Sequence, residues 1–437
     1  MISIELATGL IFGLFILLIV TGLPLVFALG AAAVVGTYFL WGPQSLHLAA
    51  IRAYSAATSF LLLAIPLFIF MGCMLERSGI AKALYEMMHK WLGGIRGGLA
   101  VGTVLVCAIF AAMVGVSGAA TVTMALVALP SMLRYNYNKH LSVGTIAAGG
   151  ALGVLIPPSV LMIVLGLYTN TSIGKLFAGG MAAGLLLVIL FAGYILIASF
   201  FKPSLGPAVP IEERASTREK ILSLKAVGLP VGLIVLVLGS LIAGLATPSE
   251  AAGVGAAGSM LCAAAARQLT WPAVREAALT TLRLSAMVMW IVFAANMFTA
   301  LYTAIGAEQL VKDALAIMPG GEWGIIIGMQ LIWFIMGCFL DPLGIMIITA
   351  PLFFPIVMQL GFDPVWFGIL FVVNMEMAFL TPPFGFNLFY LRGVVPKGIT
   401  MGDIYRSVLP FIMLQAVALV LMMLFPDIIM FLPDMLF

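Results

Sequence analysis

The chain has 437 residues, of which 63% are hydrophobic and 8% charged, with a mean hydropathy of +1.22. Soluble globular proteins carry about 25% charged residues, so the composition excludes that class and indicates a polytopic protein embedded in a lipid bilayer. A net charge of +3 spread over this length is too weak a field to recruit nucleic acid, and no such partner is expected.

A bilayer-crossing helix needs about 20 apolar residues. On that ruler the candidate crossings, in chain order, are 4–21, 24–41, 53–76, 141–168, 175–201, 226–246, 250–266, 280–304, 365–392 and 408–432. The start lacks a basic region ahead of its apolar run, so it reads as mature membrane segments rather than a cleaved leader. Two further apolar stretches, 98–132 and 322–358, are long enough to enter and return. Each is interrupted near its middle, by Gly115-Val116-Ser117-Gly118 and by Asp341-Pro342-Leu343-Gly344, which predicts two re-entrant hairpins. Residues 79–97 place apolar side chains at helical spacing beside Lys82, Glu86 and Lys90, the pattern of an amphipathic helix lying on the membrane surface. Residues 202–225 are charged and Pro-containing and are expected to be a cytoplasmic linker without a fold of its own.

Loop charge sets the orientation, because Lys and Arg in short loops mark the cytoplasmic side. Arg77, Lys82, Lys90 and Arg96 precede the first hairpin and Arg134 and Lys139 follow it, so that hairpin opens inward. Segment 169–174 has no basic residue and falls outside, whereas 202–225 carries five and falls inside. Arg267 and Arg275 are inside, and 305–321, where Glu308 and Asp313 offset Lys312, is outside. Arg392, Lys397 and Arg406 return the chain to the cytoplasmic side. The second hairpin then opens outward, and both termini are expected in the periplasm.

Two proline pairs lie in long apolar runs, Ile156-Pro157-Pro158-Ser159 and Thr381-Pro382-Pro383-Phe384. Successive prolines break a helix and free backbone carbonyls, which a membrane tolerates only where the break lines a cavity. Pro157 and Pro382 are 225 residues apart, as are Pro130 and Pro355, and Gly79 and Gly306 are 227 apart. This near-constant offset predicts a duplicated unit with one broken helix per copy and opposite topologies, the architecture of a secondary transporter. The organisation expected is N-terminal scaffold helices over 1–52, a first repeat over 53–201, the linker, scaffold helices over 226–266, a second repeat over 267–392 and a C-terminal helix over 393–437.

Few polar groups lie at membrane depth, and an ionisable residue there is a functional candidate. Asp341 and Glu376 are the two such acids, near Asn374, Thr381 and Asn387; the first copy offers Ser117, Thr121, Thr123, Gly149, Gly150 and Ser159. A carboxylate among hydroxyls, amides and unwound carbonyls supplies hard oxygen ligands for a small alkali cation, most naturally sodium. Asp341 also reads as a helix cap before Pro342, and Glu376 as a partner for a neighbouring helix. Helix N-termini at the breaks would attract an anion. Arg392 either meets a carboxylate substrate or snorkels to the interface. Cys73, Cys107, Cys262 and Cys338 have no metal or disulfide spacing and read as buried small hydrophobes. HExxH, Walker A and Rossmann patterns are absent from the sequence, and His47, His89 and His140 lie away from any buried nucleophile, so no enzymatic activity is expected.

Several runs carry a specific resemblance: Ile65-Pro-Leu-Phe-Ile-Phe-Met-Gly, Gly118-Ala-Ala-Thr-Val, Gly149-Gly-Ala-Leu-Gly-Val-Leu-Ile-Pro-Pro-Ser, Ala246-Thr-Pro-Ser-Glu-Ala-Ala, Phe339-Leu-Asp-Pro and Leu380-Thr-Pro-Pro-Phe-Gly-Phe-Asn-Leu-Phe. In this order they resemble the large permease (M) subunit of tripartite ATP-independent periplasmic (TRAP) transporters over essentially the whole chain. The resemblance implies an all-α, inverted-repeat, elevator-type importer of the bacterial inner membrane, coupled to Na+. It also implies two partners: a small four-helix membrane (Q) subunit, and a periplasmic substrate-binding (P) protein that delivers an organic acid. One sodium would lie among Ser117, Gly118, Gly153, Ile156 and Pro157, and another among Gly337, Asp341, Ala378, Thr381 and Phe384, largely through backbone carbonyls. Substrate contacts are expected from Ser117, Thr121, Ser159, Asn374, Thr381, Asn387 and Arg392. Cys73 departs from the family's usual Asn, and the Phe-Tyr-Leu-Arg-Gly run ending at Gly393 is similar to a subgroup associated with mannitol, chloroaromatic or keto-acid compounds. The alternative is a stand-alone ion-coupled anion symporter of similar architecture that needs no binding protein.

Overall fold

The computed structural model describes residues 3–115, 117–307, 309–310 and 319–437, and over these it is helical and loop, with no strand. The expected hairpin residue Val116 and the charges Glu308, Lys312 and Asp313 lie outside the described residues. In chain order the α-helices are α1 (Ile4–Val20), α2 (Leu25–Trp41), α3 (Leu46–Ala57), α4 (Ala64–Arg77), α5 (Ile80–Leu92), α6 (Gly98–Val114), α7 (Ser117–Arg134), α8 (Lys139–Ala151), α9 (Val160–Thr169) and α10 (Ile173–Phe201). They continue with α11 (Thr217–Ile242), α12 (Pro248–Ala265), α13 (Trp271–Ala304), α14 (Gly321–Gly337), α15 (Pro342–Gln359), α16 (Pro364–Leu380), α17 (Phe386–Arg392), α18 (Met401–Leu424) and α19 (Asp427–Leu436).

Among the described residues, five helical spans are long and apolar enough to cross a membrane, and α11, bent by 49°, makes a sixth. Of the other expected crossings, 4–21 and 24–41 are shorter apolar helices, 141–168 and 365–392 are pairs separated by a break, and 250–266 is the single 18-residue helix α12. A 17-residue helix such as α1 rises about 26 Å, close to the hydrocarbon thickness of about 30 Å.

Three sequence expectations are corrected. The 53–76 run is not one helix: α3 stops at Ala57, a 3₁₀ turn covers Phe60–Leu63 and α4 starts at Ala64, with the Thr58 N–H and hydroxyl both closing on the Tyr54 carbonyl at 3.0 Å at the end of α3. The 408–432 run likewise divides at Pro426 into α18 and α19, since proline cannot continue the preceding helix's donor series. The linker is also more ordered than its composition indicates. The Gly97 N–H donates to the Gly206 carbonyl and the Val209 N–H to the Gly93 carbonyl, at 2.8 Å each, and Val209 is buried. A capping box, Ser216 with Glu219, starts α11 inside the supposed linker.

Two packed helix pairs and two interrupted helices occupy the stretches 98–132, 322–358, 141–168 and 365–392. α6 and α7 pack on each other across a turn at Gly115, and α14 and α15 across a turn at 338–341. After each hairpin comes an interrupted helix: α8 and α9 flank Pro157-Pro158, and α16 and α17 flank Pro382-Pro383. Both Pro–Pro peptide bonds are cis. α1–α4, α12 and α13 form a packed group, with α12 against α4 and α13 against α2, α3 and α4. α5 is an amphipathic helix as expected, burying Ile80, Ala81, Leu84, Tyr85 and Met87 on one side.

The two hairpin–break units interlock reciprocally. α7, the second helix of the first hairpin, packs on α17, the second half of the later broken helix. α15, the second helix of the other hairpin, packs on α9, the second half of the earlier broken helix. All four cysteines are buried thiols.

Candidate functional site

Each hairpin turn touches the break that follows it. Gly115 ends α6 with φ +65°, a conformation glycine adopts without penalty, and a Cβ there would stand 2.5 Å from the Pro158 carbonyl oxygen. Gly337 ends α14 so close to α16 that a Cβ would lie 2.5 Å from the Ala378 Cβ. Beyond it, the rings of Phe339 and Phe384 meet at 5.7 Å, edge to face. The backbone approach at both turns is therefore tighter than any larger residue allows.

Of the expected sodium residues, Ser117, Gly118, Gly153 and Pro157 are buried at the first turn and break, with Ile156 half-buried against α10 at Gly184. At the second, Gly337 and Ala378 are buried, Asp341 and Thr381 are half-buried, and Phe384 is exposed. Asp341 caps α15, its Oδ2 accepting from the Leu343 N–H at 3.0 Å, which is the helix-cap reading. The Thr381 hydroxyl donates to the Met377 carbonyl at 2.8 Å, and Ser159 caps α9 while donating to Val154 O at 2.6 Å. The N-termini of α7, α9, α15 and α17 all begin at these turns and breaks, so their unpaired N–H groups and partial positive charge collect there.

The expected substrate residues fall into two sets. Thr121 and Asn387 are together, both fully buried: the Thr121 hydroxyl donates to Asn387 Oδ1 at 2.6 Å, and Asn387 Nδ2 donates to the Ala147 carbonyl of α8 at 2.8 Å. One amide thus links α17 to α7 and α8. Asn374 is elsewhere, donating to the backbone and side-chain oxygens of Gln330 at 2.8 Å each and tying α16 to α14. Arg392 is exposed and donates to Ile399 O at 2.6 Å, bracing the loop after α17.

Three residues that sequence reasoning missed complete the arrangement. Tyr390 lies over Gly118, where a Cβ would come within 2.9 Å of its ring. It is three residues after Asn387, on the same helix face, and that spacing was the available signal. Gln330 and Gln415 are buried amides, unremarkable in sequence because each sits mid-helix between apolar neighbours. Around Gln330, Trp333 donates to the Thr349 hydroxyl at 2.8 Å and packs on Phe367 and Phe371 at 4.7 Å, holding α14, α15 and α16 as a unit.

A family description, tripartite ATP-independent periplasmic transporter, DctM component, matches residues 12–428. The chain belongs to this family. Among similar proteins, the C4-dicarboxylate TRAP transporter large permease protein DctM of Pseudomonas aeruginosa is 35% identical over 91% of this chain and 92% of its own length. The isethionate TRAP transporter permease protein DctMQ of Oleidesulfovibrio alaskensis is 31% identical, over 96% of this chain and 65% of its own length. Among solved structures, the YdaH transporter of Alcanivorax borkumensis superposes with a TM-score of 0.62 over 89% of this chain and 91% of that one, at 17% identity, a likeness of fold. This DctM-family chain is therefore a large permease component of a TRAP transporter and a multi-pass membrane protein.

Proposed function

We propose that this permease imports a small organic acid by sodium-coupled secondary transport of the elevator type. A periplasmic protein would deliver the substrate, and a small four-helix subunit would complete the membrane part. The observation that carries the reading is the reciprocal interlock: α7 on α17 and α15 on α9, with each hairpin turn pressed on its own break. Such a unit can move as one body, as an elevator requires, while α1–α4, α12 and α13 supply a separately packed group for it to slide against.

The chemistry supports a cation and an anion together. Carbonyls at Gly153–Pro157 and Ala378–Thr381, with the Asp341 carboxylate, would be hard oxygen donors for Na+, and the N-termini of α7, α9 and α15 favour an anionic substrate. Ser117, Gly118, Gly153, Ile156 and Pro157 would hold one ion, and Gly337, Asp341, Ala378, Thr381 and Phe384 the other. Relatives named for C4-dicarboxylate and isethionate transport point to an organic acid, and the fusion named DctMQ supports a Q-type partner. The two hairpin–break units would be inverted repeats in the inner membrane, with both chain ends periplasmic.

The test is uptake of a panel of radiolabelled organic acids by proteoliposomes containing this chain, its small membrane partner and the binding protein. Uptake should require an inward sodium gradient and the binding protein. Uptake indifferent to sodium rejects the coupling, and uptake without the binding protein favours a stand-alone symporter.

A further inference from the structure

Thr121 and Thr123 stand two residues apart on α7, about 200° around the helix, and their hydroxyls serve different groups. Thr121 turns to Asn387 of the interlocked unit and is fully buried. Thr123 turns the other way and donates to Glu76 Oε1 of α4 at 3.1 Å; both residues are half-buried. One hydroxyl thus binds the interlocked unit to itself, and the other binds it to the group beside it.

The α4 side of that contact is braced. Arg77, the next residue, reaches Glu276 at 3.4 Å and Thr280 at 3.3 Å, which ties the end of α4 to α13. One turn before Glu76, on the same face, Gly72 lies so near the end of α6 that a Cβ would stand 2.6 Å from Val114 Cα. A close backbone approach and a hydrogen bond therefore meet the first hairpin from one face of α4. A second polar contact joins α9 to α13, where the Tyr168 hydroxyl donates to the Val292 carbonyl at 3.2 Å and accepts from Asn296 Nδ2 at 2.7 Å.

These contacts are suited to being broken and remade. Glu76 and Thr123 stand in the wall of a cleft of about 400 Å3 between α4, α7 and α13, where water can replace either partner. A hydrogen bond exchanged for water costs little net, whereas a buried group left unpaired costs its full desolvation. Thr123 with Glu76 is the first kind, and Thr121 with Asn387 the second. Asn296 also donates to the Val292 carbonyl at 3.0 Å, so it keeps a partner when Tyr168 leaves. A slide of one helical turn, about 5.4 Å, would part both contacts and lift Gly72 off Val114 without touching the bonds inside the unit.

We propose that Thr123 with Glu76 and Tyr168 with Asn296 form a two-point latch, which seats the interlocked unit on α4 and α13 in this conformation and opens when the unit slides. The latch rests on the elevator reading given above and adds to it the residues that set how long this conformation is held.

Spin labels at the exposed Leu282 of α13 and Phe389 of α17 report the separation of the two groups in the full-length protein in lipid, with and without sodium. Thr123→Val and Tyr168→Phe should fold and insert as wild type does, and each should lower the population ratio favouring this conformation by about two- to tenfold. The double variant should lower it by the product, since the two contacts share no residue. A disulfide between Glu76→Cys and Thr123→Cys, made with Cys73→Ala, should stop uptake of the organic-acid panel until it is reduced. Full-rate uptake by the cross-linked protein overturns the latch. Several separations in wild type that neither single variant redistributes reject the latch alone, whereas one separation under every condition with uptake intact rejects the sliding and the latch with it.

Discussion

Thr121 on α7 and Asn387 on α17 are 266 residues apart in the chain and joined by a 2.6 Å hydrogen bond. The same Asn387 reaches the Ala147 carbonyl of α8, 240 residues away, at 2.8 Å. A side chain of the later broken helix therefore closes the hydrogen-bonding of the earlier hairpin and helix. Removing it leaves buried polar groups unpaired, which costs about 1–3 kcal/mol each. Asn387→Leu and Thr121→Val should each lower the melting temperature of the solubilised protein and slow uptake. Wild-type melting in both variants would show that this link does not hold the two units together.

At the first turn, Gly115→Ala brings a Cβ to 2.5 Å from the Pro158 carbonyl and puts an L side chain at φ +65°. The cost is on the order of 1–3 kcal/mol for the backbone conformation alone. Turn and break must part, and sodium dependence of uptake should weaken more than membrane insertion. Insertion is checked by membrane fractionation, and the sodium response by varying its external concentration.

Asp341 caps α15, and the sodium role proposed for its carboxylate is separable from that cap. Asparagine caps a helix about as well as aspartate, whereas alanine loses about 0.5–2 kcal/mol of cap. Asp341→Asn should therefore keep wild-type stability yet bind sodium less tightly, and Asp341→Ala should lose both. Equal sodium affinity in Asp341→Asn and wild type, measured by sodium-dependent thermal shift, would leave the carboxylate as a cap and nothing more.

On α5, burial disfavours the His89 imidazolium and holds its pKa below the ordinary 6.5, with Arg134 and Lys90 acting the same way and Glu213 and Glu86 opposing. Its ring packs on Tyr135 at 5.5 Å. The unfolded chain takes up this proton first, so the contribution of neutral His89 is complete above pH 6.5 and is lost as the pH falls below it towards the folded-state value. Thermal melts from neutral to mildly acidic pH should show this loss, and His89→Gln should flatten it. An unchanged slope in the variant would assign the acid sensitivity elsewhere.

The hairpins and breaks were legible because Pro157-Pro158 and Pro382-Pro383 interrupt apolar runs, and because glycine, aspartate and proline punctuate 98–132 and 322–358. These are local signals. The helix that begins at Thr217 was legible too, through Ser216 and Glu219, but the charge of the surrounding stretch masked it. What composition could not reveal is which helix faces which. Thr121 and Asn387 were both picked out as polar residues at depth, yet nothing local pairs them, and Asn374 turned out to bind Gln330 rather than join them. Gln415 acts through Glu376, 39 residues earlier in the chain, where the spacing within one helix carries no information, and for Tyr390 the local signal is its place one turn after Asn387, which does not say that it faces Gly118.

The attachment of Asn387 to Ala147 also dictates an order of assembly. The carbonyl on α8 emerges from the ribosome 240 residues before the amide that satisfies it, and long-range closure of this kind comes late in folding. The centre of the molecule must stay provisional until nearly the last helices have been inserted. A chain interrupted before residue 387 would leave that centre open, and quality-control proteases would meet it as a nascent product still missing its keystone.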